Sequence, residues 1–147
     1  MSEAINRFVG NYRFLSNFWL CTVEFDGVTY PSVEHAYQAA KTDVPSERAW
    51  ILAAPSPGVA KRRGQKVTLQ PLWGDLVVRT CTMFALLEQK FRDPVLATKL
   101  VATGDVLLVE GNTWGDTFWG MDLRTGKGQN LLGKALMQLR NELRQGQ

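Results

Sequence analysis

The chain has 147 residues, of which 45% are hydrophobic and 21% are charged. These proportions are typical of a globular protein, exclude a disordered, collagen-like or coiled-coil chain, and at this length predict a single domain over residues 1–147. The formal net charge of +3 is too small to indicate nucleic-acid binding by itself. Because no apolar run approaches the roughly 18 residues of a membrane span and the first residues lack a signal-peptide pattern, we expect a cytoplasmic protein with no membrane partner.

The first predicted elements are a β-hairpin and a helix. Residues 22–25 and 28–30 alternate between apolar and polar side chains on either side of Asp26-Gly27, which is a strong signal for a type I′ turn. Ser32 then predicts the N-cap of a helix that runs to about Lys41, because its hydroxyl can accept a hydrogen bond from the first turn.

The rest of the chain predicts further helices with a short β-rich run between them. Two of the start signals are prolines, at Pro57 and Pro94, and Gly64 is expected to end the helix that Pro57 begins. About five or six helices with a few short strands indicate an α+β fold in which helices dominate. The remaining predicted elements are a helix from Ser46, a long helix over about 72–91, the β-rich run 106–109 and a C-terminal helix from about Leu131.

One face of the first helix combines a carboxyl group and an amine. Glu34, Gln38 and Lys41 are spaced i, i+4 and i+7, so they project from the same side. Cleavage of a C–N bond at a sugar carbon needs an acid for the departing nitrogen and a group that captures the carbon, and Glu34 and Lys41 could fill those roles. A solvated helix face is the alternative. The chain's one histidine, His35, cannot assemble a metal set and is expected to pack or cap, so we expect neither a metal nor a cofactor.

The loop over residues 111–120 is dense in glycine, aspartate and tryptophan. Trp114 and Trp119 offer flat apolar faces on which a base or sugar can stack, and Asp116 is a natural polar anchor. Such a carboxylate could orient a ribose hydroxyl or stabilise an oxocarbenium-like transition state. The alternative is a tight turn with two core tryptophans.

A glycine-rich loop over residues 126–130 runs directly into the C-terminal helix. Its backbone N–H groups, the helix dipole and Lys127 together predict an anion site that would suit a phosphate. The alternative is a plain helix-capping loop in which Asn130 is the cap.

Four motifs in this order resemble the NADAR family, also called YbiA-like. The resemblance covers nearly the whole chain, including the block 56–64 and Trp73. The motifs are residues 14–18 (FLSNF), 30–41 (YPSVEHAYQAAK), 119–120 (WG) and 126–137 (GKGQNLLGKALM).

The resemblance implies a YbiA-like fold and an N-glycosidase that cleaves the bond between a phosphorylated ribose or ADP-ribose and an attached nitrogen. Glu34, Trp73 and Trp119 match family positions tied to activity, and Lys41 and Asp116 match polar positions expected in the pocket. The predicted catalytic residues are therefore Glu34, Lys41 and Asp116, and the predicted substrate-binding residues are Asn17, Phe18, Gln38, Trp73, Trp119, Lys127, Gly128 and Asn130.

Two substrates and two mechanisms stay open at this point. The family implies either phosphoribosylamino-pyrimidine intermediates of riboflavin synthesis or ADP-ribosylated guanine in nucleic acid, and a nucleic-acid partner would want Arg62, Arg63 and Lys66 exposed. Either Lys41 captures C1′ of the opened ribose as a Schiff base, or Glu34 and Asp116 direct a water molecule. A non-catalytic module that binds ADP-ribose or an NAD derivative is the alternative to an enzyme.

Overall fold

The computed structural model describes residues 3–146, which divide into two compact units. One unit combines the described residues up to Ser16 with those from Phe91 onward, and the other is the continuous segment Asn17–Lys90. The expectation of a single domain over residues 1–147 stays a prediction.

Helices dominate residues 3–146, and the strands are short, so the predicted α+β, helix-rich fold is confirmed. The strands are β1 (Ala4–Ile5), β2 (Leu20–Phe25), β3 (Val28–Ser32), β4 (Leu107–Leu108), β5 (Gly111–Asn112) and β6 (Met121–Asp122). The helices are a 3₁₀ turn (Gly10–Leu15) and α1 (Val33–Ala39), α2 (Pro45–Leu52), α3 (Pro57–Gly64), α4 (Leu76–Lys90), α5 (Pro94–Ala102) and α6 (Leu131–Gln145).

The continuous unit is built around α1. The hairpin β2–β3 forms as predicted, and Asp26 and Gly27 both take positive φ, as a type I′ turn requires. Ser32 ends β3 and caps α1, because its side chain accepts a hydrogen bond from His35 N at 3.0 Å. The hairpin, α2, α3 and α4 all pack against α1, so every residue of this short helix is buried. Any polar side chain on α1 therefore needs a partner inside the unit.

His35 links α1 to the segment that follows α2. Its ring is 1% exposed, with Nε2 3.0 Å from the Ala54 carbonyl and Nδ1 2.7 Å from the Ser32 hydroxyl. A carbonyl can only accept, so Nε2 carries the proton and the Ser32 hydroxyl donates to Nδ1. The prediction that His35 packs or caps is confirmed.

Replacement of His35 with Ala is expected to lower the free energy of unfolding by about 2–4 kcal/mol, because it leaves a cavity and an unpaired Ala54 carbonyl. Urea unfolding followed by circular dichroism measures this. The control is Glu88→Ala on the exposed face of α4, which should change the value by less than about 0.5 kcal/mol. A His35→Ala protein as stable as that control would contradict the linking role.

One detail of this unit differs from the predictions. The long helix starts at Leu76 rather than near Leu72, because Pro71 and Gly74 favour turns and Asp75 caps the helix by accepting from Val77 N at 2.8 Å. Gly64 is the last residue of α3, with Gln65 as the C-cap, so the predicted end of this helix is confirmed. Of the cysteines, Cys81 is exposed on α4 and Cys21 is half-buried.

The discontinuous unit pairs its two chain segments through parallel strands. Ala4 and Ile5 of β1 lie opposite Leu107 and Leu108 of β4, so the predicted β-rich run 106–109 forms a strand of two residues. Helix α6 begins at Leu131 as predicted and packs on α5 and β4. Its buried side includes Leu132, Leu136 and Leu139, together with Arg140, which donates to Thr103 Oγ1 and the Val106 carbonyl.

Within residues 3–146, none of the helices combines the length and the apolar composition that a membrane crossing requires.

Candidate active site

Glu34 and Gln38 form a hydrogen-bonded pair on α1, one helical turn apart. Gln38 Nε2 donates to Glu34 Oε2 at 2.6 Å, and the Glu34 side chain is largely buried. The backbone N–H of Glu34 donates to the Asn17 carbonyl at 3.1 Å, which fixes the start of the helix. The i, i+4 spacing thus brings these two side chains together as predicted, in the unit interior instead of on a solvated face.

The other end of the Gln38 amide lies against Gly64 of α3. Gln38 is 4% exposed, and its Oε1 has no hydrogen-bond partner among residues 3–146. A Cβ atom at Gly64 would overlap this oxygen and would lie 2.6 Å from Gln38 Cδ. An unpaired buried acceptor costs about 1–3 kcal/mol, so this arrangement lowers the stability of the unit.

Lys41 follows α1 and lies in a cluster of charges. Burial lowers the pKa of its amine, the Glu34 carboxylate opposes that effect, and Lys61 and Arg79 lower the pKa further. Two cations from α3 and α4 therefore act on the same amine as the carboxylate of α1. This cluster contains one candidate acid, one candidate nucleophile and two further positive charges.

Lys61 and Arg79 were not among the predicted site residues. Lys61 precedes Gly64 by one helical turn, so the contact between Gly64 and Gln38 places it on the side of α3 that faces α1. Because that contact depends on tertiary packing, the sequence could not place Lys61 beside α1. The basic run 61–63 was the only sequence feature that could have pointed to it. Arg79 had no local signal beyond its place in a helix.

The predicted binding residues Asn17, Phe18 and Trp73 also belong to this unit. Asn17 is buried, its Nδ2 donates to Met83 Sδ at 3.5 Å, and its Oδ1 lacks a partner within the described part of the chain. The Phe18 ring lies beside Gly58 of α3. Trp73 packs on Tyr37 of α1 with ring centroids 5.1 Å apart, so it forms part of the wall that buries α1.

In the discontinuous unit, Asp116 organises the loop over residues 111–120. Its Oδ1 accepts from the backbone N–H groups of Phe118 and Trp119 at 3.1 and 3.0 Å. The Asn112 side chain donates to the Asp116 carbonyl and accepts from the Asp116 N–H. Trp119 contacts Phe118 edge to face, whereas Trp114 is 60% exposed and is not a core residue. One oxygen of the Asp116 carboxylate therefore positions Trp119, and Oδ2 is the oxygen left for other roles.

The glycine-rich loop before α6 uses most backbone N–H groups of the predicted anion site for contacts within the unit. The other N–H groups of residues 126–130 already donate inside the unit, so among the described residues only that of Gly128 is left for an anion, and the predicted phosphate site stays a prediction. The N–H groups of residues 129–132 donate, in that order, to the carbonyl oxygens of Thr117, Gly120, Phe118 and Trp119.

Asn130 is not a side-chain cap. It takes a left-handed backbone conformation, its Nδ2 donates to the Leu108 carbonyl at 2.9 Å, and its Oδ1 accepts from Glu110 N at 3.0 Å. Gly128 has φ 150° and packs so closely on the Gly120 carbonyl that a Cβ atom would overlap it. Lys127 is exposed, and its role as a phosphate ligand stays a prediction.

Glu110 is a carboxylate that the sequence analysis missed. A Cβ atom at Gly120 would lie 2.5 Å from Glu110 Oε2, so this half-buried carboxylate packs on the Trp119-Gly120 segment. The sequence feature that could have indicated this residue is the position of Glu110 directly after the β-rich run and before the loop.

The structure thus groups the predicted site residues in two sets, one in each unit. The continuous unit holds Asn17, Phe18, Glu34, Gln38, Lys41 and Trp73, and the discontinuous unit holds Asp116, Trp119, Lys127, Gly128 and Asn130.

Comparison with known proteins supports the resemblance seen in the motifs. The NADAR domain model matches residues 7–144. The chain is 38% identical over 136 residues to the N-glycosidase YbiA of Escherichia coli K12, a match that covers 90% of this chain and 82% of that protein. It is 36% identical over 137 residues to a riboflavin biosynthesis protein of Vibrio vulnificus, but it spans only 36% of the length of that protein.

A solved structure shows the same fold. The NMR structure of E. coli YbiA matches with a TM-score of 0.83 and 34% identity, over 99% of this chain and 88% of that chain. The relatives define the class of the chain as an enzyme of the glycosidase type. Within that class, the chain belongs to the NADAR family.

Proposed function

We propose that the protein hydrolyses the N-glycosidic bond between a phosphorylated ribose and an attached amine or base, and that it does so in the cytoplasm. The observation that carries the proposal is that the Glu34 carboxylate, on one buried helix, acts electrostatically on the Lys41 amine, whose pKa is lowered by burial. An amine must be neutral to act as a nucleophile, and a lowered pKa increases its neutral fraction near pH 7.

In the proposed reaction, both groups act on the bond between C1′ and nitrogen. As the C1′–O4′ bond breaks, the attached nitrogen forms a double bond to C1′ and its proton passes to the ring oxygen. Lys41 Nζ adds to C1′ and takes over the double bond as the C1′–N bond breaks. The Glu34 carboxylate accepts the two protons that Nζ loses, one at a time, and passes them to the departing nitrogen, which keeps the electron pair of the broken bond. Water finally replaces Lys41 Nζ at C1′, which releases the sugar as an aldehyde and restores the free amine.

The cations beside Lys41 support an anionic substrate. Lys61 and Arg79 act on Lys41 from α3 and α4, and positive charges of this kind suit a ribose phosphate. Relatives named for riboflavin biosynthesis support a phosphoribosylamino-pyrimidine as the substrate.

The experiment that tests the proposal is product analysis by mass spectrometry. The purified protein and its Glu34→Gln variant are each incubated with a phosphoribosylamino-pyrimidine and with an ADP-ribosylated guanine oligonucleotide. Release of ribose 5-phosphate by the wild type alone supports the proposal. If neither substrate is cleaved, the proposal fails and a non-catalytic module that binds ADP-ribose or an NAD derivative takes its place.

A second candidate substrate, ADP-ribosylated guanine in nucleic acid, is favoured by the surface of α3 and the residues after it. Arg62 and Lys66 are exposed, as a nucleic-acid partner would require. Arg63 is half-buried instead, since it donates to the Trp50 carbonyl at 2.7 Å and lies over the Trp50 ring.

If nucleic acid is the substrate, the Arg62→Glu/Lys66→Glu variant should lower kcat/KM for the oligonucleotide by roughly tenfold or more at low salt, because it removes phosphate contacts. It should also flatten the salt dependence of kcat/KM. The matched control is Arg92→Glu/Lys134→Glu, which makes the same charge change at exposed positions of the other unit. Equal effects of the two variants would exclude α3 as a docking surface.

A further inference from the structure

We propose that Gln38 is a positioning residue for Glu34, and that Gly64 is glycine because this arrangement requires it. The inference deepens the proposed function, since it assumes that Glu34 moves the proton in that reaction. It also gives Gln38 a role different from substrate binding.

The contacts of Gln38 point inward. The side chain is almost fully buried, and its amide N–H holds one oxygen of Glu34 at 2.6 Å. A donor on Oε2 fixes the direction in which the carboxyl group faces. Gln38 thus acts through Glu34 and has little surface to offer a ligand.

The unpaired oxygen of Gln38 shows that the arrangement does not serve stability. An amide placed for stability pairs both of its ends, whereas Gln38 Oε1 lacks a hydrogen-bond partner among residues 3–146. Turning the amide over would place this oxygen against the Glu34 carboxylate, where two acceptors repel each other. The bond to Glu34 therefore decides the orientation of the amide, and the structure tolerates an unpaired acceptor for it.

Gly64 makes room for this orientation. A Cβ atom there would overlap Gln38 Oε1 and would approach Gln38 Cδ and Cβ to 2.6 and 3.0 Å. Glycine is a poor helix former, yet it occupies the last turn of α3 at the point of this contact. Gly58, in the first turn of the same helix, differs because a Cβ atom there would meet its neighbours at an ordinary 3.9 Å.

The test compares Gln38→Met, Gly64→Ala and the control Gly58→Ala in steady-state kinetics and thermal unfolding. Gln38→Met keeps the volume but loses the donor, and Gly64→Ala displaces the amide without altering it. We expect each to lower kcat by roughly 10- to 100-fold with little change in KM, because a misplaced acid acts mainly on the chemical step. The melting temperature of Gln38→Met should not fall, and Gly58→Ala should match the wild type.

The double variant Gln38→Ala/Gly64→Ala separates positioning from general damage. Gln38→Ala removes Oε1 and Cδ, the two atoms that a methyl group at position 64 would overlap, and leaves only the 3.0 Å approach to Cβ. Gly64→Ala should therefore cause a much smaller loss of kcat in the Gln38→Ala background than in the wild type. The inference would be overturned if the losses of kcat from the two substitutions were additive, or if Gln38→Met kept the wild-type kcat. It would also be overturned if activity fell only in proportion to the melting temperature.

A readout without turnover distinguishes failure of the inference from failure of the proposed function. The carbon-13 chemical shift of the Glu34 carboxyl carbon should move in both Gln38→Met and Gly64→Ala and stay constant in Gly58→Ala. If the wild type cleaves neither substrate, the proposed function fails, while these shifts still decide whether Gln38 holds Glu34. An unchanged shift in both variants would overturn the inference.

Discussion

The Lys41→Ala variant is expected to lose measurable turnover, a fall on the order of 10⁴-fold or more, because removal of a covalent nucleophile disables the reaction. Its fold should remain intact, since removal of the half-buried amine relieves the cost of burying its charge and the repulsion from Lys61 and Arg79, which offsets the lost attraction to Glu34. Product release is measured by mass spectrometry, and reduction with borohydride should trap the sugar on Lys41 in the wild type. Lys41→Met is the matched control for the aliphatic part of the side chain and should be equally inactive.

The lowered pKa of Lys41 adds a pH dependence to this prediction. The neutral amine is the reactive form, so kcat/KM should rise with pH until Lys41 has lost its proton. Because burial lowers the pKa of this amine from its ordinary 10.5, the rise should end below that pH. Retained turnover in Lys41→Ala would remove the covalent mechanism and leave the direct-water mechanism, which uses Glu34 and Asp116.

The Glu34→Gln variant is expected to lower kcat by roughly 10²- to 10⁴-fold, the usual contribution of a general acid. The amide keeps the volume of the carboxyl group and can still accept from Gln38 Nε2, but it cannot transfer a proton. The melting temperature should therefore change little. Single-turnover kinetics report the chemical step directly, and Glu88→Gln, on the exposed face of α4, is the control.

A Glu34→Gln protein with the wild-type single-turnover rate would show that the carboxyl group does not act in the chemical step. If the rate falls only when the leaving group is a poor one, Glu34 acts as the acid that protonates the departing nitrogen.

The part of the candidate site that could be predicted from sequence is the part set by local geometry. Glu34 and Gln38 meet because residues four apart share one face of a helix, and the N-cap at Ser32 fixes where that helix starts. The hairpin turn at Asp26-Gly27 followed from the same kind of local rule.

The part of the site that could not be predicted depends on contacts with distant segments of the chain. The N–H groups before α6 have the sequence of an anion site, but backbone carbonyls of residues 117–120 occupy those of residues 129 and 130. Asn130 has the sequence of a cap, yet its amide instead reaches the backbone of Leu108 and Glu110. Gly64 ends α3 as predicted, but its close contact with Gln38 comes from the packing of α3 on α1. Composition and spacing contain no information on such partners.

The discontinuity of one unit has a consequence for the order of folding during synthesis. All residues of Asn17–Lys90 are contiguous, so this unit can close as soon as that stretch has left the ribosome. The pairing of Ala4 and Ile5 with Leu107 and Leu108 instead waits until residues far along the chain have been made, and it requires the closure of a long loop. The helix that holds Glu34 and Gln38 is therefore assembled before β1, although Ala4 and Ile5 are made ahead of it.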